Sequence, residues 1–451
     1  MYSEFVNDHA DLKTAIDLLD KWLSKSVHDS HLPGLALGLV HNGDLIWGKG
    51  YGYADLATQT PVTLDTRFRI ASITKSFTAV AILQLYDAGK LRLDDPLTKY
   101  LEWFDLHYPD APPITIYHCL THTSGLPRDA TVPHWTENDF QDWAEFVATT
   151  RQRQPMMPPL QDFSYSNLAY SLLGGVIEAV SGQSWADYVQ TQIVAPLNMS
   201  DTIVAPDGTE GDFATGYLRY DTDYQREAVP FINARAFSPS ASVASTLNDL
   251  VKYARFHLSK GQTPILSGYS LREMHRVHWV YPDWSGGYGL GTRTWRIGQW
   301  NVSGHTGGYK GFLTMFSVCR EHDFGVIVLT NSIDSTPYTY AEQAYKLVLP
   351  EIITITAKNQ VADPTWYDYV GTYLNDWGNT EVVVRGGQLQ MVSLDDLDQT
   401  PVVLEPTESD DTFIIRVQGN PGETVRFVRD ASGAVVRYDS RNEYAIKQTI
   451  S

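Results

Sequence analysis

Ser72-Ile73-Thr74-Lys75 sets a hydroxyl three places before an amine, where a short apolar run turns into a helical pattern. Positions i and i+3 share a helix face, so this spacing brings the Lys75 amine within reach of the Ser72 hydroxyl. A helix N-terminus at the same place, with its dipole and free N–H groups, favours developing negative charge. That geometry makes a nucleophile of a weak alcohol. The spacing alone is common on surface helices, but Phe68, Ile70, Ala71, Ile73, Phe77 and Val80 surround this pair with apolar neighbours. A desolvated lysine binds its proton less tightly and can accept the one that Ser72 gives up.

A second group is Tyr165-Ser166-Asn167, just before another apolar helical pattern. A phenol beside an ammonium can be held partly or wholly as phenolate and relay protons, and the Asn167 amide can orient the lysine and donate to a substrate carbonyl. An aromatic core residue followed by an Asn helix cap fits the same letters. A third group is Gly304-His305-Thr306-Gly307-Gly308, ahead of a strand-like run from about Gly311. Adjacent glycines let a strand edge approach a ligand, and an N–H exposed there would complement that of Ser72 as an oxyanion hole. A glycine-rich turn between two strands is the alternative.

The elements that must position these groups follow from periodicity and turn chemistry. A helix is predicted over 9–27, with Leu12, Ile16, Leu18, Leu19, Trp22 and Leu23 on one broad face. Strand-like runs at Gly34–Val40 and Leu45–Tyr53 are joined by Asn42-Gly43, a dipeptide suited to a tight hairpin. Ser76–Leu85 is apolar almost all round and predicts an interior helix, stopped by Asp87-Ala88-Gly89. The nucleophile candidate then stands at one end of a rigid rod.

Residues 101–159 are irregular and read as long excursions over the sheet, which commonly wall a cleft. Their aromatic residues, Trp103, Phe104, Trp135, Trp143 and Phe146, could line it, as could Trp279, Tyr281, Trp284 and Tyr288 further on, or all could be packing residues. Helices are predicted at Leu168–Val180 and Trp185–Ile193. Thr246, with Asp249 three places on, resembles a capping box for a helix to about His257. Strands at Gly311–Val318 and Phe324–Leu329 precede a helix at Tyr340–Leu349. With no βαβ repeat, the fold class is mixed α/β of the α+β kind, a mostly antiparallel sheet between helical layers.

From about residue 366 the grammar changes to seven or eight short alternating runs broken by Gly386-Gly387, Asn420-Pro421-Gly422 and Ser432-Gly433. Such a run of short strands suggests a small, closed or nearly closed antiparallel β-barrel. A chain of 451 residues is long enough for two domains. Its net charge of -19 argues against a nucleic-acid partner. No apolar stretch reaches the length of a membrane span, and the first residues carry no secretory signal, so no membrane partner and a cytoplasmic location are expected. Cys119 and Cys319, far apart in sequence, read as buried apolar fillers.

The order Ser-x-x-Lys, Tyr-x-Asn, His-Thr-Gly resembles the class C beta-lactamase and penicillin-binding-protein superfamily, in its branch of CubicO-type serine hydrolases. Phe68-Arg69-Ile70-Ala71-Ser72, Asp94-Asp95-Pro96-Leu97 and Leu120-Thr121-His122-Thr123-Ser124-Gly125-Leu126 resemble it too. Ser240-Ala241-Ser242 stands where that family commonly has glycines. The resemblance covers about residues 8–350, and the tail resembles the lipocalin-like barrel appended to some members. It implies a catalytic domain over 1–355, a linker over 356–365 and a barrel over 366–451.

Carried over residue by residue, it implies Ser72 as acylated nucleophile, Lys75 as its base, and Tyr165 as proton shuttle and activator of water. Asn167 orients substrate and lysine, and the backbone N–H groups of Ser72 and Gly308 form the oxyanion hole. His305, Thr306 and Gly307 line the substrate side. Neither a metal nor an organic cofactor is implied. Beta-lactamases usually have lysine where this chain has His305, and a mostly neutral histidine is a poor anchor for a substrate carboxylate. The expected substrate is therefore a small molecule or peptide with an ester or amide bond, including D-amino-acid peptides. Weak beta-lactamase activity, or a non-catalytic penicillin-binding or scaffold role in the same fold, is the alternative. A homo-oligomer is compatible with either.

Overall fold

The computed structural model describes residues 3–129, 138–211, 213–219, 225–261, 263–359, 363–376, 378–385, 387–393, 402–417, 420–440 and 443–448. Contacts divide the chain into two units, Met1–Leu349 and Pro350–Ser451.

The first unit is built on a nine-stranded sheet among the described residues. From one edge its order is Thr60–Pro61, Asp44–Asp55, Gly34–His41, Phe324–Thr330, Phe312–Cys319, Trp300–Tyr309, Arg293–Ile297, Gly286–Tyr288 and Trp279–Val280. Every neighbouring pair is antiparallel. The first hairpin turns at Asn42 and Gly43 with φ of 51° and 81°, the double left-handed conformation whose twist matches its strands. Gly34–His41 is buried along its whole length, as a central strand covered on both faces must be.

Helix Ala10–Asp29 buries Leu12, Ile16, Leu19 and Leu23 at helical spacing, whereas Leu18, expected on that face, is exposed. Helix Thr74–Asp87 runs through the interior with Phe77, Val80, Ala81 and Ile82 fully buried. It gives way to Gly89, at φ 67°. Helix Asn167–Ser181 ends on Gly182 in the left-handed conformation. Thr246 caps helix Leu247–Leu258 by accepting from the Asp249 N–H, but the Asp249 carboxylate turns to Asp201 N and Thr202 Oγ1 instead of closing the box. The last helix is longer than its apolar run, Pro337–Asn359, and carries Pro350 within it.

Three expectations change in detail. The His-Thr-Gly group lies within strand Trp300–Tyr309 and is not a turn ahead of a strand. The second helix of the Trp185 pair is a short α-helix, Trp185–Val189, that widens into a π-turn over Gln190–Val194. Of the excursions, helices Ile116–Leu120 and Trp143–Thr150 are described, while Trp135 lies outside the described residues. Phe104, Phe146 and Tyr288 are buried packing residues, and Trp284 is exposed. Both cysteines are buried and free.

The second unit contains a closed eight-stranded antiparallel barrel, from Gly371–Asn375 to Glu443–Lys447, whose last strand had no counterpart in the sequence reading. Tyr373, Val382, Leu389, Val425 and Phe427 fill its interior. Among the described residues no helix is long and apolar enough to cross a membrane.

Candidate active site

The nucleophile candidate enters on a short strand. Phe68–Arg69 pairs with Ala244–Ser245, and a 3-10 turn over Ala71–Ile73 then leads into the buried helix. Ala71 holds φ 51°, which turns the chain sharply and leaves Ser72 partly exposed ahead of a buried Ile73. From below, Thr74 Oγ1 accepts from Val243 N at 3.0 Å and Thr78 Oγ1 donates to Pro239 O at 2.6 Å. These bonds fasten the short helix Ser238–Ala241 against the nucleophile helix.

That fastening completes the surroundings of Lys75, which is fully buried. Its Nζ lies 3.1 Å from Ser72 Oγ, 2.7 Å from Asn167 Oδ1 and 2.9 Å from the Ser240 carbonyl oxygen. All three partners are neutral. Burial pushes the ammonium well below the ordinary lysine value, with Arg128 adding to the shift and Asp129 opposing it. A neutral amine has two donors and one lone pair. With the donors directed to Asn167 and Ser240, the lone pair is left for the Ser72 hydroxyl proton.

Tyr165 lies alongside, its ring 4.8 Å from Lys75 Nζ, with the Arg128 guanidinium 5.4 Å from the ring centre. Burial raises the phenol to about 12, against the pull of a hydrogen bond with Ser72 and of the Arg128 and Arg293 charges. A phenol raised this far keeps its proton at neutral pH. Ser166, not Asn167, caps the following helix, its Oγ accepting from Ala169 N at 3.0 Å. Asn167 is thus free to turn inward, where Nδ2 donates to Asp129 Oδ1 at 2.8 Å.

Strand Trp300–Tyr309 forms the other wall. Its pairing with Arg293–Ile297 ends at Gly304, so residues 305 to 309 leave that edge toward the Ser72 turn. Side chains alternate along a strand. His305, Gly307 and Tyr309 are buried, while Thr306 is partly exposed and Gly308 exposed. A Cβ on Gly307 would fall 2.2 Å from the Ile70 carbonyl oxygen, so the strand can approach the turn this closely only with glycine there. A Cβ on Gly308 would meet only Leu313 Cδ2, at 3.5 Å, leaving open space beside the exposed main chain.

His305, which the resemblance puts on the substrate side, has its ring 6.2 Å from that of Tyr165 but is covered from solvent. It is 2% exposed, with Nε2 3.1 Å from Tyr288 Oη and Nδ1 2.6 Å from the Thr306 carbonyl oxygen. Burial above all, with the Arg293 charge adding to it and the bond to Thr306 opposing it, holds it well below the ordinary histidine value. The structure thus brings together Ser72, Lys75, Tyr165 and Asn167 with the strand bearing Thr306, Gly307 and Gly308, and places His305 on the buried face of that strand, its ring 6.2 Å from that of Tyr165. Sequence reasoning assigned no part to Asp129, His122 or the Ser240 carbonyl, and read Tyr288 only as a cleft-lining or packing aromatic. His122 stands in the quoted Leu120–Leu126 motif, which was the available signal. Among the described residues no cluster of three or more His, Cys, Asp or Glu residues could hold a metal ion.

A mostly antiparallel sheet flanked by helices, with a small closed barrel after it and a Ser-Lys-Tyr cluster at the sheet, is the serine-hydrolase fold of the beta-lactamase and penicillin-binding-protein superfamily. The Beta-lactamase family model matches residues 19–349, and the chain belongs to that family. It is 29% identical over 371 residues to Penicillin-binding protein 4 of Amycolatopsis lactamdurans, covering 79% of this chain and 93% of that protein. It is 30% identical over 247 residues to Protein flp of Staphylococcus aureus (strain N315), covering 53% of this chain. The match spans about half of the flp protein, 48% of its length. Among solved structures, the octameric penicillin-binding protein homologue from Pyrococcus abyssi superposes with a TM-score of 0.67 at 25% identity, covering 96% of this chain and all of that one. A D-stereospecific amidohydrolase from Streptomyces shares the fold, with a TM-score of 0.61 at 24% identity over 74% of this chain and 98% of that one.

Proposed function

We propose that the protein is a serine hydrolase of the CubicO-type branch, acting through an acyl-enzyme on small esters, amides or peptides, including those built on D-amino acids. The observation that carries this reading is the Lys75 amine: fully buried, hydrogen-bonded only to neutral groups, and 3.1 Å from Ser72 Oγ. In the first step neutral Lys75 takes the Ser72 proton while Oγ bonds to the substrate carbonyl carbon and the carbonyl electrons move to oxygen. The Ser72 and Gly308 N–H groups receive that oxyanion, each donor being worth roughly 3 kcal/mol. As the bond to the leaving group breaks, the proton passes to it from Lys75, directly or through the protonated Tyr165. Water repeats the sequence on the acyl-enzyme and frees the acid.

A buried, neutral His305 supplies no fixed cation beside the cleft, which favours esters and amides over penicillins and cephalosporins. Similarity to a penicillin-binding protein over most of both chains supports the second reading, a protein that is acylated by penicillins with little turnover. The octameric relative supports a homo-oligomer, which sedimentation would test. The deciding experiment is a turnover panel of short-chain p-nitrophenyl esters, L- and D-alanyl amides and nitrocefin, with fluorophosphonate labelling. Ester or amide turnover lost in Ser72→Ala supports the reading. Absence of both label and turnover in the unaltered protein would refute it, and a stable acyl adduct with nitrocefin without turnover of any substrate would favour the second.

A further inference from the structure

We propose that His122, Tyr288 and His305 are positioning residues, forming a buried hydrogen-bonded brace with one fixed direction, in which the two histidines hold opposite neutral tautomers. The brace ties the segment bearing Tyr165 and Asn167 to the strand bearing Gly308.

The direction follows from its two ends. The Ser166 N–H can only donate, and it points at His122 Nδ1 at 3.0 Å, so that nitrogen carries no proton. In a neutral ring the proton is then on Nε2, 3.1 Å from Tyr288 Oη, to which it donates. The Tyr288 hydroxyl, having accepted from one side, donates its own hydrogen to His305 Nε2, 3.1 Å away. His305 therefore carries its proton on Nδ1 and donates it to the Thr306 carbonyl at 2.6 Å, a group that can only accept. Tyr170 is a further partner of the Tyr288 hydroxyl and gives its own hydrogen to the Leu120 carbonyl, so the order is set by the two ends, a backbone donor at His122 and a backbone acceptor at His305, with both rings neutral.

All three side chains are buried at 2% exposure or less, and burial keeps both rings neutral. A second proton on the His122 ring would set a donor against the Ser166 N–H. His122 also sits at φ 57°, a left-handed conformation that a residue with a Cβ adopts at a cost of roughly 1 kcal/mol and keeps when its surroundings hold it there. At one end the brace grips the peptide between Tyr165 and Ser166. At the other it grips the Thr306 carbonyl, two residues before Gly308. Its groups touch neither the Ser72 hydroxyl nor the Lys75 amine by hydrogen bond, so its effect on the reaction is through placement.

The kinetic consequence rests on the serine-hydrolase reading; the tautomers do not. The test is long-range proton–nitrogen correlation at pH 7 on the full chain labelled with nitrogen-15 histidine, with His122→Asn and His305→Asn variants to assign the signals. The expected spectrum shows His122 protonated on Nε2 only and His305 on Nδ1 only. Identical tautomers, or a doubly protonated ring at either position, would overturn the brace. Tyr288→Phe removes the central hydroxyl and is expected to lower kcat roughly tenfold to a hundredfold, with KM within about threefold, as loosened placement does. A folded Tyr288→Phe protein with unaltered kcat would overturn the positioning role. If the unaltered protein turns over nothing, the hydrolase reading fails and the spectrum alone decides the brace. The same spectrum decides it if Tyr288→Phe does not fold.

Discussion

Lys75 Nζ donates to Asn167 Oδ1 over 2.7 Å, an ammonium's usual distance to a carboxylate but here to a neutral amide. The amide orients the amine without stabilising its charge, which an aspartate in the same place would do. Asn167→Asp is therefore expected to move the acidic limb of the kcat/KM profile to higher pH and to cut the rate at pH 7 at least tenfold, by holding Lys75 as ammonium. A pH–rate profile of the two proteins checks this. An unmoved limb would show that Lys75 is not the base.

The same desolvation links Lys75 to stability. Its folded value is below its unfolded value of 10.5, so between the two the unfolded chain binds more protons and stability rises with pH. Against Lys75→Met, which cannot titrate, the unaltered protein is expected to gain stability, by up to about 1.4 kcal/mol per pH unit, as the pH rises toward 10.5. Parallel urea unfolding series would show it, and a constant difference between the two proteins would contradict it.

Gly307 and Gly308 are adjacent but answer to different constraints. Gly307→Ala sets a methyl against the Ile70 carbonyl oxygen, so strand and turn must part. Loss of stability by about 2 kcal/mol or more, with loss of activity, is expected. Gly308→Ala meets only ordinary contact with Leu313, so folding should hold while KM rises for bulky substrates. Thermal melts and steady-state kinetics separate the two, and equal stability of the two variants would contradict the close approach.

A lysine at 305 would stand on the buried face of the strand, among Tyr165, Tyr288 and Lys75. His305→Lys breaks the bond to Tyr288 and buries a cation near Lys75 and Arg293. A stability loss of about 3 kcal/mol is expected. Urea midpoints test it, and an unchanged midpoint would mean the side chain reaches solvent.

Burial also lowers His118 to about 4 and His257 to about 3. These folded values lie below the unfolded 6.5, so the unfolded chain binds more protons in acid, and stability falls as pH drops from 6.5 toward those values. Each contributes up to about 1.4 kcal/mol per unit. Carbon-13 histidine spectra should show both rings neutral at pH 5 in the folded protein, and titration of either near pH 6.5 would remove this contribution.

Local chemistry by itself determined much of this protein. Asn42-Gly43 dictates its hairpin because only residues tolerant of positive φ suit that turn. The spacing of Ser72 and Lys75 dictates a shared face because 3.6 residues make a turn, and the alternating tail dictates short strands. Together they made the fold class and the Ser72 and Lys75 pair legible before any coordinates, while Tyr165 and Asn167 entered through the resemblance carried by the order of the three motifs.

What no local pattern holds is the fate of groups that meet across long separations. The carbonyl that holds Lys75 belongs to Ser240, and a main-chain atom has no letter in the sequence. By its letters His305 reads equally as a turn residue or as part of a strand edge facing a ligand, until strand pairing sets its side chain on the buried face. His122 and Tyr288 are 166 residues apart, and only packing of the motif segments against the sheet brings their polar atoms into hydrogen-bond reach. Burial itself is a tertiary quantity, so the lowered Lys75 and the raised Tyr165 exist only once the chain has closed around them.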